Sequence, residues 1–234
     1  MKNKGFLALI VAASAVCVVL VAPQAKALDL PGDSTAKKMS LLGGAGWMTQ
    51  GAEIMPTGKH AMAFRVGFPS TDFEIHFPVA KKFEVNAIWS IDYLPYGGWV
   101  GYFGDTFGMQ LKGNVFAAGP HAVSLGADIG LITSYFPALN VGVQIGGPEL
   151  KYSYRWNKPR IAIITGFRMP IQVWALGLSV NIPMLPNIGF EYNVTKRLNI
   201  HANFELGPNV CVIPGVATVV LFHAGFQFGI SYLF

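Results

Sequence analysis

From about residue 60 to its last residue the chain alternates between apolar and polar or small side chains. Between 220 and 234 the even positions carry Val220, Phe222, Ala224, Phe226, Phe228, Ile230, Tyr232 and Phe234. The odd positions carry Leu221, His223, Gly225, Gln227, Gly229, Ser231 and Leu233. Successive strand side chains point to opposite faces, so this is one long strand with an apolar face and a mostly small or polar one. Residues 198–206 repeat the pattern, with Leu198, Ile200, Ala202, Phe204 and Leu206 on one face and Asn199, His201, Asn203 and Glu205 on the other. The pattern predicts twelve strands: 60–68, 71–79, 83–93, 105–117, 122–134, 139–147, 149–156, 160–168, 171–182, 187–194, 198–206 and 219–234. Segments of this length suit a tilted membrane crossing, which takes about 9–11 residues, better than a globular strand of about 5–6.

Composition decides which way the apolar face points. Hydrophobic residues make up 52% of the 234 and charged ones 12%, with 27 glycines. That excludes a disordered chain and argues against an ordinary cytosolic enzyme. Beyond residue 22 no apolar run approaches the roughly 20 residues of a membrane helix. High hydrophobicity without such runs, and a polar face of Glu, His, Lys and Arg among glycines, predict an all-β, antiparallel, up-and-down transmembrane barrel, apolar outside and polar within.

The N-terminus reads as a processing signal. Lys2 and Lys4 precede an apolar stretch over 5–22, and Ala25-Lys26-Ala27 supplies a small-residue cleavage site, so 1–27 is expected to be a secretory signal peptide. Its eighteen apolar residues could just span a bilayer, but the Ala-x-Ala site favours cleavage. Without the signal, fourteen basic residues face twelve acidic ones, so the net charge falls from +5 to +2. With no basic cluster, nucleic acid is not an expected partner. Cys17 leaves with the signal, and Cys211 is expected as an unpaired thiol in a loop-like stretch, 208–215. Residues 28–59 lack the alternation. They are expected to form a periplasmic lead, with a lumenal plug or an extra strand as alternatives, ahead of a barrel over 60–234.

The end of the chain, Phe228-Gly229-Ile230-Ser231-Tyr232-Leu233-Phe234, together with the signal peptide and the alternation, resembles the outer-membrane β-barrels of Gram-negative bacteria. The resemblance implies that Phe228, Ile230, Tyr232 and Phe234 form the signal read by the barrel-assembly machinery. It also implies insertion among outer-membrane lipids. An even strand number is then expected, with short periplasmic turns and longer outer loops. The turns are assigned to 80–82, 119–121, 147–148, 169–170 and 195–197, and the longest outer loops to 94–104 and 207–218. Reading 139–156 as a single crossing would change the parity, which leaves ten or fourteen strands as alternatives.

On this register Glu74, Glu84, Asp92, Asp128, Glu191 and Glu205 point inward, as do Arg65, Lys112, Lys151, Arg155 and Arg168. Three-residue turns set Glu191 opposite His201 and Lys112 opposite Asp128, and directly opposed side chains lie about 5 Å apart. Glu74, Glu84 and Asp92 form an acidic wall facing a basic wall of Lys151, Arg155 and Arg168, which predicts a transverse field across the lumen. No metal site or cofactor is expected: His76, His201 and His223 lie too far apart for three or four ligands to converge. Ser124, Ser153, Ser179 and Ser231 have no opposed His to act as a base. The inward glycines suggest both relief of crowding and room in the lumen. The expected function is therefore a narrow channel for small polar solutes. A closed barrel with a salt-bridged lumen is the alternative, and a barrel enzyme acting on lipid a third.

Overall fold

The computed structural model describes residues 47–93, 103–136, 139–156 and 160–234. The expected signal peptide and most of the expected outer loop at 94–104 lie outside them. The described residues form thirteen strands of one antiparallel sheet. They are β1 (Ala61–Phe68), β2 (Ser70–Ala80), β3 (Phe83–Asp92), β4 (Phe103–Ala118), β5 (His121–Phe136), β6 (Asn140–Ile145), β7 (Glu149–Arg155), β8 (Ile161–Arg168), β9 (Ile171–Trp174), β10 (Val180–Pro183), β11 (Leu185–Asn193), β12 (Leu198–Ile213) and β13 (Ala217–Leu233). β1 pairs with β13 from Ala61↔Leu233 to Phe68↔Phe226, which closes the ring.

Six of these strands are halves of three. β5 pairs with β7 at its lower end and with β6 at its upper end. β12 likewise pairs with β11 below and β10 above, in an unbroken register that runs from Asn193↔Asn199 to Val180↔Val212. β8 and β9 are joined in the same way against β11 and β10. The described wall is therefore a ring of ten crossings, one of the two alternatives to the expected twelve. The expected turns at 147–148 and 169–170 are interruptions halfway up the wall, not periplasmic turns. Gly147-Pro148, Met169-Pro170, Pro183-Met184 and Gly207-Pro208 fall side by side on neighbouring crossings. Proline has no N–H to give a ladder, so this seam breaks three crossings without changing their direction, while β12 continues through Pro208. The expected outer loop at 207–218 is also strand for most of its length, with a turn at 214–216. Cys211 thus lies on β12, opposite Asn181, and not in a loop.

The lower rim carries the turns 81–82, 119–120 and 194–197 and the end of the chain, where the backbones of His60 and Phe234 exchange two hydrogen bonds. Burial is inverted relative to a soluble protein. Phe64, Phe107, Ile129, Phe204, Phe228 and Ile230 are each about half exposed, whereas Glu84, His76, Asn86, Asn199 and Ser153 are wholly buried. Apolar exposure all round the wall far exceeds what a soluble monomer shows and matches the lipid face of a membrane barrel. Aromatic contacts gather at both rims. Trp89 stacks on Phe107 at 5.9 Å near the top, and Tyr154 meets Trp156 edge-on at 4.6 Å near the bottom. Such girdles mark the two membrane interfaces.

Candidate functional site

Residues 47–55 run inside the ring. They form no helix or strand, yet Trp47, Met48, Thr49, Gln50, Ala52 and Met55 are all buried. Irregular backbone at membrane depth must find its hydrogen bonds within the protein, and here the wall provides them. The Glu191 carboxylate accepts from the amides of Thr49 at 2.8 Å, Gln50 at 3.1 Å and Gly51 at 3.2 Å. It also accepts from the Thr49 hydroxyl at 3.1 Å and the Asn199 amide at 2.5 Å. Ser153 accepts from the Ala52 amide and Glu84 from the Met55 amide. Lys112 donates to the Gly51 carbonyl and Asn114 to that of Ala52. At the rim the Trp47 ring nitrogen donates to the Lys196 carbonyl, and Asn193 and Asn199 donate to the Trp47 carbonyl. An apolar cluster of Trp47, Met55 and Ala61, with Leu233 against it, seals the seat. Of the segment 28–59, expected as a periplasmic lead with a lumenal plug as an alternative, residues 47–55 lie in the lumen as a stopper and 56–59 are exposed ahead of β1.

The residues read as inward from the sequence are on the inner face, but their partners differ. Glu191 does oppose His201, yet its oxygens are taken up by the stopper, and the His201 Nδ1 lies 3.3 Å from the Ser231 hydroxyl instead. Gly229 permits this, since a Cβ there would overlap the imidazole. Lys112 does not oppose Asp128. A two-residue turn at 119–120 and a bulge between Asn114 and Phe116 set Lys112 opposite Gly126 and Asp128 opposite Gln110. Lys112 pairs across the other neighbour with Glu84, at 3.0 Å. The expected basic wall is neutralised locally. Lys151 meets Glu149 at 2.9 Å, Arg168 meets Glu205 at 2.7 Å, and Arg155 meets Glu53 of the stopper at 2.6 Å. On the acidic wall Glu74 is paired with Arg65, and His76 links Glu74 to Glu84 at 3.1 and 3.0 Å. Asp92 and Asp128 belong to no ion pair among the described residues. Asp92 accepts from Thr106 at 2.7 Å, and Asp128 accepts from Gln144.

Above the stopper lies a polar chamber of about 120 Å³, with Thr49 and Gln50 among its lining residues. At about 30 Å³ of liquid volume per water, it has room for roughly four waters. Carboxylates of Asp72, Glu74, Asp92, Asp128, Glu149 and Glu205 line it, against Arg65, Lys151 and Arg168. Gly189 lines this space, but other inward glycines serve their neighbours. A Cβ on Gly126 would sit 2.9 Å from a Glu149 carboxylate oxygen, and one on Gly225 would sit 3.0 Å from the Glu205 Cγ. They make room for side chains from the next strand, which is the crowding role.

Among the described residues no three His, Cys, Asp or Glu converge as metal ligands. The Ser231–His201 contact is a hydroxyl beside an imidazole that the register reading had not paired. It is buried beneath the stopper, and the Thr49 hydroxyl lies 2.9 Å from Ser231. Sequence reasoning missed Thr49, Gln50 and Glu53, because periodicity carries no signal in an irregular segment. It also passed over Asp72 and Glu149, whose inward parity was available in the pattern.

No family model matches the chain, and no curated protein matches it. Among solved structures it is similar to OmpT, an outer membrane protein of Vibrio cholerae. For the in-vitro folded form the identity is 11% and the TM-score 0.37, over 75% of this chain and 63% of that one. For the trimer form the values are 11% and 0.37, over 70% and 56%. The chain therefore spans about three fifths of the length of the structures it resembles.

Proposed function

We propose that this chain is an integral outer-membrane barrel whose lumen is closed at the periplasmic end by its own N-terminal segment. On the other side of that stopper it holds a polar, water-filled chamber. One observation carries the reading: a single wall carboxylate, Glu191, accepts three consecutive stopper amides, of Thr49, Gln50 and Gly51. A carboxylate accepting several backbone N–H groups is a strong, charge-assisted anchor. Glu84, Ser153 and Arg155 hold the same segment from other parts of the wall. The barrel is thus the closed, salt-bridged alternative rather than a standing pore.

A channel for small polar solutes is the second reading, favoured by the many polar and charged side chains that line the chamber down to Thr49 and Gln50. Planar-bilayer conductance separates the two. The closed reading expects no steady steps from the wild-type chain, and steps from Glu191→Ala or from a chain lacking residues 47–55. Steady wild-type conductance would establish the channel and overturn the closed reading.

A further inference from the structure

The chamber is chemically lopsided. Six carboxylates line it against three cations, and each of those cations already lies within 3.0 Å of one of those carboxylates. Asp128 has no such partner. It accepts from the Gln144 side chain, whose oxygen accepts in turn from Gln172 at 3.2 Å. The relay ends at Gln172 with its acceptor unused. Gln172 lines the chamber, is 4% exposed, and its Oε1 has no hydrogen-bond partner. Buried polar atoms are almost always paired, so an orphan calls for a water or a ligand. What remains on this side of the chamber is a carboxylate with no ion-pair partner among the described residues and an amide oxygen with no hydrogen bond, both acceptors.

We propose that the chamber binds a small organic cation rich in N–H donors, held by the Asp128 carboxylate and the Gln172 Oε1. The neighbouring Glu149 carboxylate, which accepts from Gln110 at 2.7 Å, adds negative potential. Asp92, higher on the wall, draws cations inward. A space for roughly four waters limits the ligand to about that number of heavy atoms, the size of a short diamine. An anion would face an excess of carboxylates. A neutral polyol would satisfy Gln172 but leave Asp128 without a counter-charge.

This inference takes the chamber from the closed-barrel reading and deepens it. The test uses the full mature chain refolded in detergent, with and without solute, with folding checked by heat-modifiable migration. Three probes share one carbon skeleton: 1,3-diaminopropane, 1,3-propanediol and malonate. Binding is followed by calorimetry and by tryptophan fluorescence, since Trp174 lines the chamber. The diamine is expected to bind at least tenfold more tightly than the diol, with malonate weaker still. Asp128→Asn is expected to weaken the diamine at least tenfold, and Gln172→Met about threefold. The inference is overturned if the diol or malonate binds as well as the diamine, or if folded Asp128→Asn binds it unchanged. Absence of diamine binding to protein refolded in its presence overturns it equally. Wild-type conductance in bilayers would sink the closed reading while leaving the binding result to stand or fall by itself.

Discussion

Glu191→Ala is the substitution to which the stopper should be most sensitive. It removes the acceptor of three backbone amides at 2.8, 3.1 and 3.2 Å and of the Thr49 hydroxyl. Hydrogen bonds to a charged group contribute about 1.5–3 kcal/mol each, so the three amides together hold at most about 5–9 kcal/mol. The released segment recovers much of this from water, and the bonds are not additive. About 3 kcal/mol is a conservative net loss, and at 1.4 kcal/mol per factor of ten it raises the open population about 150-fold. A buried reporter measures that population. Ala52 is fully buried in the stopper, so Ala52→Cys in a Cys211→Ser background reacts with a maleimide only when the segment leaves its seat. Labelling of the folded barrel is expected to rise by about two orders of magnitude in Glu191→Ala. Glu191→Gln, which keeps one acceptor oxygen, is expected to fall between. A labelling rate in Glu191→Ala within twofold of its parent would refute the anchoring argument.

Other perturbations test other parts of the wall. Phe204 is 45% exposed on the outer face, so Phe204→Arg should cost about 2–4 kcal/mol near the bilayer midplane. Asn203→Arg, into the chamber, should cost far less, and the reverse order in urea unfolding from liposomes would contradict the facing of β12. Lys112→Met strands the buried Glu84 carboxylate, 3.0 Å from its Nζ, and should cost about 3–5 kcal/mol. Adding Glu84→Leu should recover part of that, and a single-mutant cost under about 1 kcal/mol would show the pair to be dispensable. Phe234→Ala keeps the two backbone bonds to His60, so a fall in folded, heat-modifiable protein in the outer membrane would isolate the terminal side chain as an assembly signal. Unchanged levels would remove it from that role.

The facing of the wall was legible because period two survives errors of register. Lys112 was assigned a partner two residues away from the one it has, through one misjudged turn and one unseen bulge. The two one-residue slips add to an even number, so Lys112 and Asp128 still point inward. The strand count was less robust. Gly147-Pro148 and Met169-Pro170 carry the composition of turns, and sequence alone does not distinguish a proline that reverses the chain from one that interrupts a ladder. The distinction comes from neighbours: these prolines lie level with Pro183 and Pro208 on adjacent crossings. A turn would have set them at a rim.

The site was legible in its residues and not in its partners. Inward charges of both signs suggested walls facing each other across water, since burying an unpaired charge is expensive. The pattern could not reveal that ten crossings enclose a lumen narrow enough for one irregular segment to fill its lower half. Once that segment is inside, its own backbone demands acceptors and donors at fixed places. Glu191, Glu84 and Ser153 meet the amides of Thr49 to Met55, while Lys112 and Asn114 meet the carbonyls. Arg155, which looked like half of a field, neutralises Glu53 at 2.6 Å. The lower charges are therefore committed to holding the stopper, and those left unmatched, Asp92 and Asp128, both line the chamber above it. That division ties the lower charges to the stopper and leaves the chamber with the unmatched carboxylates on which the proposed cation binding rests.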